Sequence, residues 1–158
     1  MIEIKTFLKY NDDFIDVEDE KKLKNLYGRI DEDYIEGAIT MSYWSEEIIG
    51  LRHWDLVDQL WAYIITMLHD CLTNGKAEFL FPDQPLKAGI ELIKNGMCLF
   101  TVGNGAVSKR CSIPFKEFAE KSLCAYKDFV YKMKNDLGVL VYADHEQIYS
   151  ISEALSNL

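Results

Sequence analysis

Leu86-Lys87-Ala88-Gly89-Ile90-Glu91-Leu92-Ile93-Lys94-Asn95-Gly96-Met97-Cys98-Leu99-Phe100-Thr101-Val102 is the stretch from which the fold can be read. Asn-Gly between two apolar runs is a strong short-range hairpin signal, because both central positions of the favoured turn need positive φ. A two-residue loop would set Ile93 opposite Cys98 and Leu92 opposite Leu99, leaving apolar side chains on both faces near the turn. Gly103-Asn104-Gly105 supplies a second turn into Ala106 to Ser112. The result is an antiparallel meander.

Downstream, Pro114 opens a helix, since proline suits the first helical turn. Its stripe is Phe115, Phe118, Ala119, Ser122, Tyr126, Phe129, Val130 and Met133, and Gly138 ends it. Val139 to Tyr142 reads as a last strand or a buried connector. Asp144 with Gln147 then makes a capping-box start for a short helix carrying Ile148, Ile151 and Leu155.

Upstream, Pro82-Asp83-Gln84-Pro85 makes a rigid turn after a short strand at Ala77 to Phe81. Before it, Val57, Leu60, Trp61, Ile64, Leu68, Cys71 and Leu72 recur at three- and four-residue steps, the stripe of a helix packed on a core. Asp55 is expected as its N-cap, with Asp58 also near the positive end of the helix dipole, and Asn74-Gly75 as its stop. Ile35 to Tyr43 alternates as a strand, and Trp44-Ser45-Glu46-Glu47 reads as a hairpin connection into Ile48-Ile49. Ile2 to Leu8 reads as an edge strand, followed by an acidic run expected as a solvated loop or short helix. Strands grouped between helices imply one α+β domain over residues 1–158, with a mainly antiparallel sheet, two long amphipathic helices and a short C-terminal one.

The 158-residue chain carries 26 Asp+Glu against 17 Lys+Arg, a formal net charge of −9. Such a field repels nucleic acid and anionic lipid and attracts basic surfaces, so neither nucleic acid nor membrane is expected as a partner. The start lacks a basic region followed by an apolar run, and no apolar stretch approaches roughly 18 residues, so neither an export signal nor a span is expected. Cys71, Cys98, Cys111 and Cys124 show no Cys-x-x-Cys spacing and read as reduced core residues, in keeping with a cytoplasmic location.

Catalytic signatures are absent from the pattern. Gly103-Asn104-Gly105 lacks the further glycine and the helix start of a dinucleotide site. His53, His69 and His145 form no helical metal pair, and the run from Asp12 to Glu20 departs from a calcium-loop pattern. No cofactor, metal or catalytic residue is assigned, and the protein is read as a non-enzyme. Of the tryptophans, Trp61 lies in the helical stripe, while Trp44 at a hairpin tip and Trp54 before the helix could anchor an interface.

Through Gly37-Ala38-Ile39-Thr40, Trp54-Asp55-Leu56-Val57-Asp58-Gln59-Leu60-Trp61 and Phe81-Pro82-Asp83-Gln84-Pro85, the chain resembles the small acidic immunity proteins of bacterial polymorphic-toxin loci. The resemblance implies a protein that binds and neutralises a cognate, basic toxin domain. On that reading the partner-binding residues are Asp12, Asp13, Asp16, Glu18, Asp19, Asp31, Glu32, Asp33, Tyr43, Trp44, Glu46 and Glu47. Alternatives are a self-associating protein, a small-ligand domain, or an enzyme whose site is assembled from distant residues, for instance around Cys98, Cys111 and a histidine. Monomer and homodimer remain open at this level.

Overall fold

A computed structural model describes residues 1–158. The elements are β1 (Ile2–Tyr10), β2 (Asp13–Asp16), α1 (Glu20–Lys24), β3 (Glu36–Tyr43), β4 (Glu46–Ile49), β5 (Asp55–Leu56), α2 (Val57–Asn74), β6 (Lys76–Leu80), β7 (Lys87–Leu92), β8 (Met97–Asn104), β9 (Val107–Pro114), α3 (Phe115–Leu137) and α4 (His145–Ser156). They form an α+β fold with two antiparallel sheets. One has the order β2-β1-β3-β4 with β5 also on β3, and the other is the meander β6-β7-β8-β9.

The helices cover one side of both sheets. α2 packs on β3, β6 and β7, α3 on β1, β8 and β9, and α4 lies against α2 and α3. A single core of 37 buried residues joins them. Ile39 and Ile49 of the first sheet, Leu60 and Ile64 of α2, and Phe100 of the second sheet line one small enclosed space at its centre. Trp61 is wholly buried there, and its indole N–H donates to Thr6 Oγ1 at 3.2 Å. No helix is long and apolar enough to cross a membrane.

Several elements differ from the sequence-based expectation. β1 is an edge strand only over Ile2 to Lys5, because the acidic run does not stay a loop: Asp13 to Asp16 turns back and pairs along Phe7 to Tyr10. The central hairpin takes a different register, with Leu92 opposite Cys98 and Glu91 opposite Leu99. Asn95 and Gly96 do have positive φ, at 62° and 71°, and Met97 N–H closes the turn on Lys94 C=O. Ile93 N–H, however, donates to Met97 C=O, so β7 carries one extra residue at the turn. Burial decides this: the observed register pairs Ile90 with Phe100 and Ala88 with Val102, all buried, whereas the two-residue register would oppose Ile90 to half-exposed Thr101.

α2 starts without a side-chain cap. Leu56 occupies the cap position, and Asp55, 1% exposed, turns its carboxylate elsewhere. That carboxylate accepts from Leu56 N–H at 2.7 Å, from Asp83 N–H at 3.0 Å and from Gln84 N–H at 2.8 Å. Asp55 therefore ties the Pro82–Pro85 turn to the helix start, a role set by contacts 28 and 29 residues away. Gly75 and Gly138 end α2 and α3 in the left-handed conformation, as the sequence implied. Asp144 does cap α4 through Gln147 N–H at 3.0 Å, while the Gln147 side chain bonds Thr66 instead of closing a capping box. Val139 to Tyr142 is a connector.

Candidate interaction surface

The twelve sequence-assigned residues do not form one site. β1 and β3 are antiparallel, with Ile2 opposite Tyr43 and Leu8 opposite Gly37. The β1–β2 turn at Asn11-Asp12 and the segment leading into Glu36 thus lie at one end of the sheet, and Tyr43-Trp44 lies at the other. The length of β1 separates these ends by roughly 25 Å, at about 3.3 Å per residue.

The β1–β2 turn carries Asp12 and Asp13, and the segment leading into β3 carries Asp31, Glu32 and Asp33, all exposed. Asp31 folds its segment locally: its carboxylate accepts from Asp33 N–H at 3.0 Å and its carbonyl from Tyr34 N–H. None of these five carboxylates has a lysine, arginine or histidine within ion-pair distance. Lys9, the cation that β1 brings to this end, is used otherwise. Its ammonium donates to Asn11 C=O at 2.9 Å and lies 4.5 Å from the centre of the Trp54 ring.

The remaining acids are engaged within the molecule. Asp16 accepts from Glu18 N–H, and Asp19 caps α1 through Lys22 N–H. Glu18 pairs with Lys132 of α3 at 2.7 Å, and Lys132 also pairs at 3.5 Å with Asp128, whose carboxyl is pushed up by burial and by neighbouring Glu18. Glu18 itself is held below the usual carboxylate range by the hydrogen bonds from Asp128 and Lys132. Glu46 pairs with Lys109 of β9 at 3.2 Å, and Glu47 pairs with Arg52. Lys109 also donates to Glu47 C=O, clipping β4 to β9 across the gap between the sheets.

Trp44 sits at the tip of its hairpin and is 72% exposed, 6.0 Å from the half-buried Tyr43 ring. Its neighbours Glu46 and Glu47 are the internally paired acids, so this tip presents an aromatic without free negative charge beside it. Trp54, half-buried, is the aromatic at the acidic end. The Lys9–Trp54 contact and the Glu18–Asp128–Lys132 group escaped the sequence reading because each joins elements distant along the chain.

The alternative thiol site is not assembled. Cys98 is fully buried and burial pushes its thiol up to about 12, while Cys71, equally buried, is raised to about 11. Cys111 is half-buried on β9 and also raised by burial, and Cys124 is exposed on α3, a correction to the expectation of four core cysteines. His53 is committed to accepting Gly50 N–H at 3.0 Å, and His69 to Asp70. No three histidine, cysteine or acidic side chains converge as a metal ion would require. Comparison with family models, with curated proteins and with solved structures finds no match.

Proposed function

We propose that the protein is an inhibitory binding partner of immunity type, which neutralises a basic bacterial toxin domain through the acidic end of its first sheet. The observation that supports this most is the group of five unpaired carboxylates, Asp12, Asp13, Asp31, Glu32 and Asp33, beside acids that are elsewhere neutralised internally. Like charges left together repel one another in the free protein, and a basic partner turns that cost into attraction. Exposed carboxylates of this kind steer encounter, so they act mainly on the association rate.

The test takes the product of the reading frame that neighbours this chain's and measures its binding to, and inhibition by, the protein. Amide replacement of Asp12, Asp13, Asp31, Glu32 and Asp33 should slow association by roughly tenfold or more at low salt, with a melting temperature no lower than the parent's. Replacing Glu46 and Glu47 should leave the association rate within about twofold, since those charges are already screened by their own partners. An association rate that ignores both salt and the five replacements removes the reading.

A further inference from the structure

Beyond the acidic end, β1 offers a second surface. On the side where β2 pairs with Phe7 to Tyr10, residues Ile2 to Lys5 have no neighbouring strand, because the chain leaves at Val17, whose N–H donates to Thr6 C=O at 3.0 Å. Ile2 is clipped by α3: its N–H donates to Glu117 Oε1 at 2.8 Å and its C=O accepts from Lys121 Nζ at 2.5 Å. Ile2 and Thr6 both direct backbone groups to this side, so by strand alternation Ile4 directs its N–H and C=O there too, between the two occupied positions. Beside this gap runs a groove of about 450 Å³, walled by β1 on one flank and by Cys124, Ala125 and Asp128 of α3 on the other. At its Val17 end stand Glu18 and Asp128, two carboxylates paired with one ammonium, Lys132, at 2.7 and 3.5 Å.

We infer that this groove takes an extended segment of a protein partner as an added strand on β1, with an arginine or lysine of that segment reaching Glu18 and Asp128. Two features of the gap specify the occupant. A free N–H and C=O on one strand residue are matched by extended peptide backbone, which offers an acceptor and a donor at that spacing. Two carboxylates served by one cation leave room for a second, since Lys132 lies 2.7 Å from Glu18 and 3.5 Å from Asp128 and no other lysine or arginine is within ion-pair distance of either. The gap accommodates about three residues, opposite Glu3 to Lys5, or roughly 10 Å of strand, which suits a short peptide arm more than a full sheet edge. Binding here is separate from the acidic end and does not require it.

The probe is the acetylated and amidated peptide Arg-Thr-Val-Thr-Val, added at millimolar concentration to the intact protein and followed through backbone amide resonances. In the free protein, the Ile4 amide should exchange with solvent far faster than that of Leu8, which lies opposite Ile15 of β2. The peptide should shift the Ile4 amide and slow its exchange, and a version with proline at the central valine should do neither. Glutamate in place of arginine should weaken binding roughly fivefold, a difference that Glu18→Gln with Asp128→Asn should abolish. Replacement of Asp12, Asp13, Asp31, Glu32 and Asp33 should not alter this titration, which separates it from failure of the acidic end. Protection of Ile4 in the free protein, an unmoved Ile4 amide, equal binding of the proline peptide, or equal binding of the arginine and glutamate peptides would each overturn the inference.

Discussion

Asp55 shows how a residue's role can be invisible in its local sequence. An aspartate just before an apolar helical stripe is the ordinary N-cap pattern, yet this one serves a turn nearly thirty residues on. Removing it would strip the N–H groups of Leu56, Asp83 and Gln84 of their acceptor at a partly buried site, so Asp55→Ala should destabilise the protein by about 2 kcal/mol, as measured by urea unfolding. Asp55→Asn should recover only part of that loss, because an amide offers one acceptor oxygen and no charge. If Asp55→Ala unfolds at the parent urea midpoint, the carboxylate does not hold the turn. The acidic residues divide in a similar way: Glu18 and Glu46 look like Asp12 and Asp13 in sequence, and only their distant partners Lys132 and Lys109 set them apart.

At the scale of elements, periodicity was a sound guide. α2, α3 and the meander follow from stripes and turns carried within a few residues, and Asn95-Gly96 placed the hairpin correctly. Its register was not local, since one extra residue at Ile93 moves every pair along the strands, and core burial chose between the alternatives. Ile2 to Lys5 lie at an edge, as their sequence implies, but the pairing of Phe7 to Tyr10 with β2 has no local signal, because β2 is four residues of acidic sequence. The uncovered part of β1 is guarded by α3 through Glu117, whose carboxyl is lowered first by the Ile2 N–H and then by the chain's amino terminus and Lys121. A carboxylate with a lowered folded pKa stabilises the fold above the ordinary value of 4.5 and loses that contribution as pH falls through the folded value. Glu117→Gln should therefore lower stability at pH 6, with the difference from the parent shrinking below about pH 4.5 and vanishing once Glu117 is protonated in the folded as well as the unfolded state. Chemical denaturation across that range reads it, and a pH-independent difference would argue against the ionised clip.

For the whole molecule, the two sheets have no shared strand and yet no separate cores. α2 and α3 each touch both sheets, and the 37-residue core runs through all the layers. Thermal unfolding should therefore be a single transition, with the fluorescence of buried Trp61 and far-ultraviolet dichroism coinciding. Two separated transitions would show that the meander and the first sheet fold as independent units. The same architecture fixes what the surface can do. It sends the unpaired carboxylates to one end of β1 and β3, Trp44 to the other, and leaves the gap at Ile4 between them.

The sequence by itself determined the α+β class, the positions of α2, α3 and most strands, the acidity and the lack of a recognisable catalytic motif. Those properties depend on composition and on patterns repeated over two to four residues. Only the tertiary structure decided the hairpin register, the pairing of β1 with β2, the duty of Asp55, which acids stay unpaired and where the edge of β1 lies open. Each of these depends on which distant residues a side chain or backbone group meets, and a hydrogen bond or ion pair across thirty or more than a hundred residues leaves no local trace.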